Sequence, residues 1–184
     1  GGIVLQYLLG ERAEEAAGTG ALALQLASLA QHKSIGITVL VLVLLRLLWR
    51  LKQAPPPLPS SYREASPALA RVSALTHGLL YLLLLFLPIS GWLMSSASAY
   101  SVSWFGFVTL PDLISANESA KDTLQSAHHL AAKILFVLAL LHIAAAFKHL
   151  LIDKSRIMGR MATTATVSLF AATVTAGVWF TWPS

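Results

Sequence analysis

Residues 125–151 read QSAHHLAAKILFVLALLHIAAAFKHLL. At about 100° per residue, a step of fourteen returns to within about 40° of its starting azimuth, and a step of seven to within about 20°. His128, His142 and His149 therefore share one face of an apolar helix. His128 and His142 lie about 21 Å apart along its axis, close to opposite faces of a hydrocarbon layer roughly 30 Å thick. Ionisable groups at that depth are costly and by default mark a function. Two imidazoles at two depths suggest two cofactors, one near each membrane surface.

The rest of the chain agrees with a membrane setting. Of 184 residues, 56% are hydrophobic and 11% charged, with a mean hydropathy of +0.69. An all-α integral membrane protein follows. No alternating pattern of the outer-membrane barrel kind is present. Cysteine is absent, which excludes disulfides, thiolate-held iron–sulfur clusters and covalent c-type haem. The net charge of +5 does not imply nucleic acid, because the positive residues flank apolar spans.

Four spans are readable: residues 27–51, 73–94, 126–151 and 162–182. Residues 1–10, GGIVLQYLLG, are apolar but too short to cross, and read as the remnant of a first transmembrane helix. Pro88 and Gly91 fall late in the second span, where a kink is expected. The 52–72 connection carries Lys52, Arg63 and Arg71, and the 148–160 connection carries Lys148, Lys154, Arg156 and Arg160. Both should be cytoplasmic. The 11–26 segment, with Glu11, Glu14 and Glu15, reads as a loop on the opposite side. So does 95–125, with Asp112, Glu118 and Asp122. The C-terminus then faces the outer side.

In this topology spans 27–51 and 126–151 run parallel. His32 and His128 each open a span on the outer side and can meet at one depth. Fourteen residues on, Arg46 and His142 share a depth near the inner side, where an arginine pairs readily with a propionate or a headgroup. Two neutral imidazoles on different helices suffice to hold haem b. The competing reading for single histidines is an interhelical hydrogen bond, and for His32 a place at the wet interface. His77 is a candidate inner ligand, haem neighbour or quinone contact, with an interhelical hydrogen bond equally open. His149 is interfacial or part of a quinone site. Lys33 and Lys133 are candidate propionate partners, with snorkelling as the alternative.

These stretches resemble the bacterial cytochrome b561 family of dihaem membrane cytochromes, which includes superoxide oxidase. The matching segments are HKSIGITVLVLVLLRLLWRLKQAPPPLP, THGLLYLLLLFLPISGWLM, WFGFVTLP and SAHHLAAKILFVLALLHIAAAFKH, within about residues 27–155. The resemblance implies a four-helix haem-binding bundle, its first helix truncated here, with 162–182 as an additional C-terminal helix. It implies an outer haem held by His32 and His128. It implies an inner haem held by His142 and a first-helix histidine for which this sequence has no counterpart. His77 is then a possible substitute, His77 and His149 lie near the inner haem and quinone region, and WFGFVTLP packs over the outer haem.

The expected function is electron transfer across the bacterial inner membrane, between a periplasmic donor or acceptor and the quinone pool. The resemblance makes superoxide oxidation with ubiquinone as acceptor the most concrete reaction. Lys33 and Lys133 would then help attract the anion. A related reading is the cytochrome b subunit of a larger hydrogenase or dehydrogenase. A rival from another class is a haem-free metal or proton transporter, or a scaffold. No carboxylate lies within the four spans to complete a metal site, which argues against a divalent-metal transporter.

Overall fold

The computed structural model describes residues 2–53 and 67–151. Four helices follow one another: α1 (Gly2–Gly18), α2 (Leu22–Lys52), α3 (Pro67–Ala97) and α4 (Glu118–Leu151). Between α3 and α4 lies a small antiparallel hairpin of β1 (Ser103–Trp104) and β2 (Val108–Thr109). Ser103 pairs with Thr109, and Trp104 with Val108. Helix α1 packs on α2, α2 on α3 and α3 on α4, and α1 touches α4 to close the ring.

Among the described residues three segments are long and apolar enough to cross a membrane: Leu22–Lys52, Ala70–Ala97 and Glu118–Lys148, with mean hydropathies of 2.0, 2.0 and 2.3. They keep large side chains uncovered along their length, among them Leu42, Leu82 and Leu141 at 59%, 62% and 63% exposure. Apolar surface on that scale needs a non-aqueous solvent. The chain is a multi-pass membrane protein, and these residues lie on the outside of the described bundle. The inward positions are small. Ser28, Ser34, Ser90, Ser95, Ser96, Ala13, Ala16 and Ala131 are buried. Small residues let helices approach closely where lipid gives no hydrophobic drive to associate. At mid-depth Leu83, Ala131 and Leu135 form a core, with Ile3, Leu80, Leu84, Leu87 and Leu138 packed on it.

The helices overrun the expected spans. The segment 11–26 is mostly helical rather than a loop: α1 continues through Glu11, Glu14 and Glu15. Alanine and glutamate are good helix formers, and Ala13 and Ala16 face inward. The helix stops where Gly20 takes a φ of 74°. There the Ala21 N–H reaches the Ala16 carbonyl at 2.9 Å and the Gly20 N–H that of Ala17 at 3.3 Å, a Schellman closure. Helix α3 opens on Pro67, at the one position that tolerates a missing N–H. It carries Pro88 without a break. Helix α4 begins well before residue 126, because Asn117 caps it by accepting the Ala120 N–H at 2.9 Å. The expected span 162–182 lies outside the described residues, as do Arg63, Lys154, Arg156 and Arg160 of the two basic connections.

Candidate functional site

Parallel α2 and α4 and antiparallel α3 set a pair of histidines at each of two depths. At the hairpin end, His32 of α2 faces His128 of α4, their ring centres 6.2 Å apart and their planes at 67°. At the other end, His77 of α3 meets His142 of α4 with ring centres 5.0 Å apart. Arg46 of α2 does not reach His142. Its Nε donates to the Tyr81 hydroxyl at 2.8 Å, and the Arg50 guanidinium sits 5.6 Å from the Tyr81 ring centre.

The first pair lines an apolar cavity enclosed by all four helices. Gln6, Lys33, Leu87 and Gly91 are among its walls, and it is open on one side. Tyr7 and Phe136, stacked at 4.8 Å, line its deeper part. Each histidine has a partner on Nδ1. His32 Nδ1 lies 3.1 Å from the Gln6 carbonyl oxygen, which can only accept. The Ser90 hydroxyl donates to the Leu87 carbonyl at 3.0 Å, so at His128 Nδ1, also 3.0 Å away, it accepts. We therefore assign the Nδ1–H tautomer to both rings, which leaves both Nε2 lone pairs unused. His77 has the same arrangement, its Nδ1 donating to the Ser73 carbonyl at 2.7 Å.

Glycine gives the rings room. A methyl on Gly91 would stand 3.3 Å from His128 Cε1, and one on Gly10 would stand 3.8 Å from His32 Cε1. Gly36 lets the Gln6 amide come close, and that amide donates to the His32 backbone carbonyl at 3.0 Å.

The two pairs differ as metal ligands. Two imidazoles on opposite sides of one metal, each with a bond of about 2.0 Å, have ring centres roughly 6 to 6.5 Å apart. His32 and His128 meet that spacing at 6.2 Å, and His77 and His142 fall short of it at 5.0 Å. The spacing, the free Nε2 atoms and the apolar cavity fit a flat macrocycle with two axial imidazoles. Among the described residues no group of three or more His, Cys, Asp or Glu is placed to hold a bare metal ion.

The other candidates take different places. Lys33 lines the cavity and donates to Ser95 Oγ at 2.7 Å, and Ser95 in turn donates to the Tyr100 carbonyl. Lys133 is exposed and away from the cavity lining. The side chain of His149, on the last turn of α4, lies outside the described residues. His129 turns away from the cavity and pairs with Glu14 of α1 at 3.1 Å. Val102 lines the cavity, whereas residues 104–108 are not among the lining residues and bond to Ser34 and Thr38 of α2. Sequence reasoning missed Gln6 and Ser90 as partners; Tyr81 was legible one turn after His77 on the same face, but not as the acceptor of Arg46. Ser90 carried a signal as a hydroxyl beside Pro88 and Gly91 in a late, interrupted stretch of its span.

A membrane bundle that aims two neutral imidazoles into one apolar cavity belongs to the class of helical haem-binding membrane proteins. The family model for prokaryotic cytochrome b561 matches residues 1–164, and the chain belongs to that family. It is 37% identical over 131 residues to cytochrome b561 homolog 2 of Escherichia coli K12, covering 71% of this chain and 68% of the relative. It is 32% identical over 131 residues to the probable superoxide oxidase CybB of Yersinia pestis, covering 71% and 72%. The family implies b-type haem, and the cavity residues fit it.

Proposed function

We propose that this protein carries electrons through b-type haem in the bacterial inner membrane, between a periplasmic partner and the quinone pool. The observation that carries the reading is the His32–His128 pair, whose ring centres stand 6.2 Å apart in an apolar cavity, with both Nδ1 atoms partnered and both Nε2 atoms free of other described residues. These two residues would hold the haem iron. The haem supplies reversible one-electron chemistry when bound. The chain's own residues fix the imidazole tautomers through Gln6 and Ser90, exclude water with Leu84, Leu87 and Leu135, and place the Lys33 ammonium in the cavity wall. Lys33 is the propionate partner in this reading. Its charge also favours an anionic reactant.

Superoxide is the substrate we assign, supported by the name of the Yersinia relative. Two superoxide ions each lose one electron to become dioxygen, and one ubiquinone takes up these two electrons with two protons. The basic 52–72 connection then faces the cytoplasm, and the hairpin end faces the periplasm. His142, His77, Arg46 and Tyr81 form the cytoplasmic end, where a second haem and ubiquinone would bind, with His149 as a further quinone contact. In this reading residues 27–155 are the haem-binding core, α1 takes the place of the family's first helix, and 162–182 is a further span.

The test is spectroscopic, then kinetic. The purified protein should show a b-type reduced-minus-oxidised α-band, and superoxide pulses should reduce ubiquinone in a catalase-independent way. A colourless preparation overturns the haem reading. A b-type spectrum without superoxide-dependent quinone reduction overturns the substrate alone.

A further inference from the structure

Residues 100–111, YSVSWFGFVTLP, contain no charged side chain. In the structure they turn out of α3 and lay the β1–β2 hairpin along α2. Three contacts fix it there. The buried Ser34 hydroxyl meets the Ser103 carbonyl at 3.2 Å and accepts the Phe105 N–H at 3.0 Å. The Trp104 Nε1–H donates to Thr38 Oγ1 at 3.1 Å, and that hydroxyl is oriented by its own bond to the Ser34 carbonyl at 2.9 Å. Phe105 holds a φ of 49°, a conformation costly for a bulky side chain. Its bond to Ser34 holds it there.

The hairpin turns its apolar side chains away from the protein. Phe105 and Val108 are 52% and 50% exposed, and Phe107 is 85% exposed. In water such a cluster at a loop tip is unfavourable. Its position supplies an apolar solvent. Ser34, which holds the hairpin backbone, lies two residues beyond His32, about 3 Å further along the helix, and only the Trp104 indole reaches one turn deeper to Thr38. The next turn of α2 carries Val41 and Leu42, exposed to 47% and 59%, on the membrane-crossing helix itself. The hairpin therefore adjoins a surface already covered by lipid. An indole with its N–H satisfied, beside two phenyl rings, is the composition found at the boundary between headgroups and acyl chains.

We propose that residues 103–109 form an interfacial foot whose Phe105 and Phe107 rings insert into the bilayer leaflet at the hairpin end, with lipid acyl chains as their partner. The foot sets the depth of α2, and with it the depth of the His32–His128 cavity.

The absence of cysteine makes the test direct. F107C, carrying a nitroxide, is reconstituted as the full chain in phosphatidylcholine vesicles. Collision with dissolved oxygen is compared with collision with a water-soluble nickel chelate. Ser115→Cys serves as the aqueous reference and Leu141→Cys as the lipid reference. The oxygen-to-chelate ratio at residue 107 should be several-fold above that at 115 and approach that at 141. A ratio equal to that at 115 overturns the proposal. Shielding from both reagents, with spin–spin broadening, also overturns it, because a second copy of the chain would then cover the foot. F105C provides the same reading if F107C does not yield folded protein.

Discussion

The two histidine pairs of this bundle use the same helix and opposite designs. His128 and His142 stand fourteen residues apart on α4, yet among the described residues only His128 faces a second imidazole at the spacing two ligands of one metal need. Its partner His32 is 6.2 Å away, both rings are tied at Nδ1, and glycine clears space beside each. His142 meets His77 at 5.0 Å, His77 is exposed, and the nearby cations are occupied with Tyr81. The lesson is that depth along a helix locates an imidazole, whereas its second partner decides its chemistry.

The largest expected effect breaks the first pair. His128→Ala removes one imidazole and should abolish the haem signal assigned to the hairpin end, while any signal from the His142 end persists. Reduced-minus-oxidised spectra with a pyridine haemochrome count check this. Retention of the full haem count would mean that His32 and His128 are not the ligands. His142→Ala is the matching experiment. It should leave the hairpin-end signal intact, so the two variants together separate the pairs.

A smaller effect sharpens the contrast through Gly91. An alanine there would put its methyl 3.3 Å from His128 Cε1, so the ring must shift or the helices must part. Gly91→Ala should weaken haem retention and alter the low-spin resonance of the oxidised protein. Gly78 has nothing within 4 Å of an added methyl, so Gly78→Ala should leave the spectrum unchanged. Equal behaviour of the two variants would show that clearance at His128 is immaterial.

How much of this was legible in the sequence depends on the physics of each feature. Membrane character and the shared depth of His32 and His128 follow from composition and from helix rise, both local quantities. His77 could be named as a candidate opposite His142, but whether their rings meet, and that Arg46 turns to Tyr81 instead, depends on rotation of α3 about its axis. No local pattern fixes that rotation. The helical state of residues 11–18 was masked by charge: three glutamates read as a loop in a topology argument, although alanine and glutamate favour a helix. Gln6 was invisible because its role comes through a backbone carbonyl, which any residue possesses.

The next prediction concerns Ser90, which fixes the His128 tautomer by accepting its Nδ1–H. Ser90→Ala leaves that donor without its acceptor inside the bundle. Loss of such outer partners typically costs about 10–100-fold in metal-site affinity or activity. The variant should retain haem on gentle purification, lose it faster to apomyoglobin and show a shifted midpoint potential. Ser90→Thr keeps the hydroxyl and should restore the potential. An unshifted potential in Ser90→Ala would make the contact structural only.

The smallest effect belongs to the opposite end. Tyr81→Phe removes the acceptor of the Arg46 Nε–H bond but keeps the ring beneath Arg50. Arg46 is exposed, so the lost bond should cost no more than about 1 kcal/mol of stability. The informative readout is functional. If Tyr81 holds Arg46 away from the His77–His142 pair, releasing the guanidinium places a mobile positive charge near that end. A positive charge favours the reduced form of a nearby redox group, so the potential at the His142 end should rise while that at the His32–His128 end stays fixed. Equal shifts at both ends would mean that the phenol acts on the bundle as a whole, and the separation of the two sites would fail.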